Sequence, residues 1–150
     1  MERTIYAAEL FLKGHNCAQA VTMAFSDLLG SEEEHCAKMA SSFGGGMGRL
    51  REVCGAVSGM LLVAGLLYGY SSCDDDEKKK AHYTLVQELA EDFRKEVGSI
   101  VCRDILKNPP SDPAPTPRTA EYYAQRPCVR MVMLATEIME NYIAAHPLTK

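Results

Sequence analysis

Six cysteines stand in 150 residues: Cys17, Cys36, Cys54, Cys73, Cys102 and Cys128. So many thiols in so short a chain serve a disulfide framework, a metal site or redox chemistry. Their spacing removes the compact motifs. There is no CxxC, so the thioredoxin-type pair is absent, and no CxxCH for covalent haem attachment. The closely spaced runs that ligate ferredoxin clusters are missing as well. Any site must therefore be assembled from positions far apart in the chain. Four gathered thiolates can hold zinc or an iron–sulfur cluster. They can equally form one or two reversible disulfides, provided the Cα atoms come within about 7 Å.

Local context divides the six. Cys17 follows Asn16, Cys102 follows Ser99 closely and Cys128 follows Pro127. Each precedes an apolar stripe of helical period, which puts it in a first helical turn. Cys54 follows closely on a glycine-rich stretch. Free N–H groups and the positive end of a helix stabilise a thiolate, so all four positions predict lowered thiol pKa values. Cys36 and Cys73 lack this context, and Cys73 adjoins Asp74, Asp75 and Asp76, a negative field that disfavours a thiolate. A buried free cysteine is otherwise an ordinary small hydrophobe, and that is the reading for Cys36 and Cys73.

The elements that must position these residues read as helices almost throughout, with no alternating strand. The expected fold is all-α, a single-domain bundle over residues 1–150 with about five to seven helices. Helices are predicted over Arg3 to Lys13, Asn16 to Leu29, Ser31 to the glycine cluster, Arg51 to Tyr68 and Asp75 to Val97. A short helix capped by Ser99 carries Cys102, and a last one runs from Pro127 to Ala145. Between them Asn108 to Arg118 holds Pro109, Pro110, Pro113, Pro115 and Pro117 and reads as an extended crossover loop. Short connections make neighbouring helices antiparallel. Counting directions, Cys17, Cys54, Cys102 and Cys128 fall at one pole, and Cys36 and Cys73 at the other.

Other residues near that pole have two readings each. Gly44, Gly45, Gly46 and Gly48 can expose N–H groups that cradle phosphate or cluster sulfurs. No Walker lysine or preceding strand accompanies them, which argues against a nucleotide site and for a tight turn. Gly55 and Gly59 share a helix face and let another backbone approach Cys54. His15 is a candidate base, thiolate-stabilising cation or ligand, or else a loop histidine. Arg49 and Arg51 add positive potential near Cys54, although exposure is the default for such residues. Tyr122 and Tyr123 cap either the core or a pocket.

Composition bounds the function. Hydrophobic residues are 47% and charged residues 24%, enough to bury a core, and the net charge is −4. That balance argues against nucleic-acid binding, which needs a basic face. The N-terminus MERTIYAAELFLKGHNC carries charges and no uninterrupted apolar run, so it is not read as a secretory signal. A cytoplasmic chain keeps its thiols reduced, which disfavours a static disulfide scaffold. Val53 to Cys73 is free of charge and long enough to span a bilayer. Its glycines and serines, and the need for an apolar helix at the centre of a bundle, favour burial over insertion.

The residues also resemble a known family. His15-Asn16-Cys17-Ala18-Gln19-Ala20, Phe43-Gly44-Gly45-Gly46-Met47-Gly48, Cys54-Gly55-Ala56-Val57-Ser58-Gly59 and then single Cys102 and Cys128 resemble the C-GCAxxG-C-C family of suspected redox-active bacterial and archaeal proteins. The resemblance covers nearly the whole chain in order. It implies a small helical, cytoplasmic protein with thiol redox or metal-cluster chemistry, often encoded near transporter genes. It carries the family's four cysteines onto Cys17, Cys54, Cys102 and Cys128, and omits Cys36 and Cys73. The expectation is thus a redox-active protein, a thiol-dependent oxidoreductase or electron carrier using these four, with an unidentified redox partner. The alternatives are zinc or iron–sulfur ligation by the same four, and a helical adaptor. A homodimer is left open.

Overall fold

Helix α1 (Glu2–Lys13) ends at Gly14, and α2 (Cys17–Ala24) begins on a reciprocal cap. Gln19 N–H donates to Asn16 Oδ1 at 2.8 Å while Asn16 N–H donates to Gln19 Oε1 at 3.0 Å. The structure is a computed structural model and describes residues 2–107 and 109–149. Asn108, the predicted first residue of the proline loop, lies outside the described residues.

The helix predicted to reach Leu29 breaks at Phe25 (φ −104°, ψ 9°) and resumes as α3 (Ser26–Leu29). The cause is local. Arg3 Nη1 donates to the Ala24 carbonyl at 2.6 Å, and the Arg3 guanidinium lies over the Phe25 ring, 4.9 Å from its centroid. Leu28 N–H turns instead to Phe25 O at 2.9 Å, and the Phe25 side chain is fully buried. Gly30 then closes α3 in the left-handed region.

Helix α4 (Glu33–Ala40) carries Glu33 and Glu34 in its first turn, where carboxylates suit the dipole. A 3₁₀ turn (Ser41–Phe43) leads into the glycine segment. Helix α5 (Gly55–Tyr68) starts later than the predicted Arg51, because residues 51–54 are drawn into an antiparallel bridge between Val53 and Val101. Helix α6 (Asp76–Val97) is capped by Asp75, whose Oδ1 accepts from Lys78 N–H at 3.0 Å, and ends at Gly98. Helix α7 (Cys102–Leu106) is preceded by Val101, not Ser99, at the cap position; the Ser99 hydroxyl accepts from Val101 N–H at 3.0 Å.

Helix α8 (Ala120–Gln125) was not among the predicted elements. Six residues are too few to show a period, but Thr119 Oγ1 caps it, accepting from Tyr122 N–H at 3.2 Å. Helix α9 (Cys128–Ala145) follows, with Pro127 at its cap position. The all-α class therefore holds. The helix number rises to nine among the described residues, against the expected five to seven, because the second predicted helix splits and α8 is added.

Helix α2 is the centre, packed by α1, α4, α5 and α9. Its Ala18, Ala20, Val21, Thr22, Met23 and Ala24 are all buried. The buried hydroxyls of Thr22 and Thr136 donate to the carbonyls of Ala18 and Val132, each at 2.8 Å, so neither is left unsatisfied. The uncharged segment forms α5, whose 14 residues rise about 21 Å, short of a ~30 Å hydrocarbon layer. Among the described residues no helix is long and apolar enough to cross a membrane.

Candidate functional site

The end of the bundle where α2, α5, α7 and α9 begin encloses a cavity of ≈ 480 Å³. Cys17, Cys54, Cys102 and Cys128 all line it. Cys17, Cys102 and Cys128 are each the first residue of a helix, and Cys54 is the cap residue of α5. Cys36 is buried in the core and Cys73 is exposed; neither lines the cavity. All six thiols are free.

Close packing between α2 and α5 brings Cys17 to Cys54. A side-chain carbon at Gly55 would lie 2.9 Å from the Phe43 carbonyl oxygen and 3.2 Å from Cys17 Cβ. One at Gly59 would lie 2.7 Å from Ala18 O. Both glycines are therefore required by contact. Cys54 is tied to Cys102 by backbone: Cys54 N–H donates to Ile100 O at 2.7 Å, and Cys102 N–H donates to Glu52 O at 2.6 Å.

The glycine segment forms a tight turn of unusual hand. Gly45, Gly46, Met47, Gly48 and Arg49 are consecutive left-handed residues, with φ between 60° and 71°. Arg51 is left-handed too, at φ 62°. For residues other than glycine this costs about 1–2 kcal/mol each. The surroundings hold them there: Arg51 N–H donates to Gly45 O at 3.2 Å and Glu52 N–H to Gly46 O at 2.9 Å. Gly44, Gly45, Gly46, Gly48 and Gly55 all line the cavity.

The proline segment forms the opposite wall, with Pro113, Pro115, Thr116 and Arg118 facing in. Arginines strap it down. Arg49 Nε donates to Asp112 O at 2.7 Å and Arg49 Nη1 to Thr116 Oγ1 at 3.1 Å. Arg51 Nε donates to Pro110 O at 2.9 Å. Arg118 donates to the carbonyls of Phe11 and His15, and its guanidinium lies over the Phe11 ring. His15 thus serves through its backbone and is not part of the cavity lining. Arg51 corrects the expectation of exposure: it is 4% exposed.

The expectation that all four thiols ionise readily is corrected as well. Only Cys128 is lowered, to about 7. A hydrogen bond from the Cys17 thiol is the main cause; burial opposes it, and Arg126, Arg118 and the Tyr122 hydroxyl assist it. Cys17 is raised well above the ordinary thiol value, because its proton is held by Cys128 and because solvent is lost. Cys54 is pushed up to about 12 by burial, although the N–H groups of Ala56 and Val57 favour its thiolate. Burial also raises Cys102, against its contact with Arg51. Helix-start position favours the thiolate, but where the sulfur is buried desolvation outweighs it unless a thiol or cation partner faces the sulfur.

Arg118, Arg126 and Tyr122 were not identified as site residues from sequence, Tyr122 having been divided between core and pocket. Arg126 stands two residues before Cys128, the same offset that drew attention to His15 before Cys17. Among the described residues no three His, Cys, Asp or Glu side chains converge as metal ligands, so the four sulfurs as placed do not form one coordination sphere.

A family profile described as "Putative redox-active protein (C_GCAxxG_C_C)" matches residues 15–142. The match spans every cavity cysteine. The stretch corresponding to the central motif reads Cys54-Gly55-Ala56-Val57-Ser58-Gly59, with its glycine after the cysteine. No curated protein and no solved structure matches the chain.

Proposed function

Since the chain belongs to the C_GCAxxG_C_C family, we propose that it carries out thiol–disulfide exchange through Cys17 and Cys128. What supports this reading is that Cys17 and Cys128, each the first residue of its helix, line one cavity and are shifted in opposite directions by their interaction. Cys128 ionises near 7 while Cys17, hydrogen-bonded to it, keeps its proton. A nucleophilic thiolate beside a protonated resolving thiol is the arrangement that exchange requires.

The electron balance is simple. The Cys128 thiolate attacks one sulfur of a substrate disulfide, forming a mixed disulfide and expelling one substrate thiolate. Cys17 then attacks Cys128 Sγ, its proton passing to a departing substrate sulfur. The Cys17–Cys128 bond forms and the second substrate half leaves. The protein pair loses two electrons, and the substrate disulfide becomes one thiol and one thiolate, the thiolate taking its proton from solvent. A dithiol partner returns the protein to its starting state by the reverse steps. Cys54 and Cys102, kept protonated, complete the wall and stand as candidate second acceptors.

Ligation of zinc or an iron–sulfur cluster by the same four cysteines needs their sulfurs drawn into one sphere, and metal analysis of purified protein checks it. The exchange reading is tested by trapping. Treated with a small disulfide, Cys17→Ser protein should accumulate a mixed disulfide on Cys128, because the resolving thiol is gone. Cys128→Ser protein should accumulate none at the cavity, and Cys73→Ser should match the parent at Cys128, each site being read by peptide mass spectrometry. A mixed disulfide that forms equally in all three would overturn the assignment.

A further inference from the structure

The thiol pair leaves one cavity group unused. Arg51 donates through Nε to Pro110 O at 2.9 Å, and through Nη1 to Cys102 Sγ at 3.7 Å. Its Nη2 is buried and, among the described residues, has no hydrogen-bond partner. The residue is 4% exposed and lines the cavity. A guanidinium does not shed its proton, so a full positive charge with an open donor faces the interior.

The charge balance of the lining points the same way. The chain as a whole carries −4, yet Arg49, Arg51, Arg118 and Arg126 line the cavity and, among the described residues, no Asp or Glu does. Asp112, whose charge acts on Arg49, is outside the lining. The bonds made by Arg49 and Arg118 go to carbonyl and hydroxyl oxygens, which satisfy donors without cancelling charge. Arg126 lies over the Tyr122 ring, 5.0 Å from its centroid, and acts on Cys128. Tyr122, Cys102 and Cys128 line the same space. Its ≈ 480 Å³ lies within the range of small-molecule sites.

We infer that Arg51 Nη2, supported by Arg126, seats the oxyanion of a small anionic substrate, so that the disulfides reduced at Cys128 are low-molecular-weight ones bearing a carboxylate. The inference rests on the thiol-exchange reading for its chemistry. Arg51 holds the anionic group beside Cys102, and the disulfide sulfur is left within the cavity that Cys128 lines. Neutral disulfides of the same size lack the charged anchor.

Charge-selective alkylation tests this. Iodoacetamide and iodoacetate deliver similar groups, one neutral and one anionic, and modification of Cys128 is followed by mass spectrometry. Relative to free cysteine, the iodoacetate-to-iodoacetamide rate ratio at Cys128 should rise about tenfold, as a converging positive field enriches anions. Arg51→Gln should bring the ratio back toward that of free cysteine. Arg103→Gln, outside the cavity lining, should not. Inorganic sulfate at constant ionic strength should slow iodoacetate saturably and raise the unfolding midpoint of the parent protein. A ratio equal to that of free cysteine, with no effect of sulfate, would overturn the anion seat. If Arg51→Gln does not fold, the parent's ratio and sulfate response decide alone. If neither reagent modifies Cys128, the exchange reading fails, and the sulfate shift alone then decides for or against the seat.

Discussion

Cys17 and Cys128 occupy equivalent positions, each the first residue of its helix, yet their protons are held in opposite ways. One hydrogen bond makes the difference: it holds the proton on Cys17 and stabilises the thiolate of Cys128, which Arg126, Arg118 and Tyr122 also favour. A group lowered from 9.0 to about 7 gains thiolate as pH rises through 7. Iodoacetamide modification of Cys128 should therefore rise with a midpoint near pH 7, followed by peptide mass spectrometry. Cys54, pushed up to about 12, should stay unmodified over the same range. Arg126→Gln and Tyr122→Phe should each move the Cys128 midpoint upward, toward the ordinary thiol value. That Cys17, Cys54, Cys102 and Cys128 gather at one end of the bundle, apart from Cys36 and Cys73, was legible in sequence, because helix starts and glycine turns leave local signals. The pKa order was not legible. It depends on which sulfur faces which, and on how much solvent the cavity excludes, and both are set by residues distant in the chain.

The α2–α5 contact sets the distance between Cys17 and Cys54. It depends on Gly55 and Gly59, where a methyl group would meet Phe43 O, Cys17 Cβ and Ala18 O. Gly59→Ala should destabilise the fold by about 1–3 kcal/mol, the usual cost of overpacking, read from the denaturant midpoint. Gly46→Ala meets two obstacles: its φ is +70°, and the added carbon would lie 2.7 Å from Cys102 Cβ and 2.8 Å from Arg51 Cα. That variant should lose stability and should also shift the reactivity of Cys102 toward alkylating reagents. The close approach at Gly55 and Gly59 and the tight turn at the glycine cluster were both readable from spacing. The left-handed run through Met47 and Arg49 was not, since those residues adopt it only where the fold imposes it. The break at Phe25 was equally hidden, because it depends on Arg3 reaching across from α1.

Across the whole molecule, the proline segment lies as a strap along one wall of the cavity. Arg49, Arg51 and Arg118 fasten it to the glycine turn and to the end of α1. Arg118→Ala removes its bonds to the Phe11 and His15 carbonyls and its stacking on Phe11. That variant should show faster proteolysis within residues 109–118 and faster modification of Cys17, with stability lowered by about 1–3 kcal/mol, read from the denaturant midpoint. Sequence supplied the loop and its extended character, but not its fastening, which joins residues as far apart as His15 and Arg118. In the proposed exchange Cys17 and Cys128 form one redox pair. Disulfide mapping by mass spectrometry, after equilibration of the full chain in thiol–disulfide buffers of stepped potential, tests it most directly. The expected result is a single reversible two-electron transition in which Cys17 and Cys128 become linked while Cys36 and Cys73 stay free. Six free thiols at every potential, or a bridge that excludes Cys128, would contradict it.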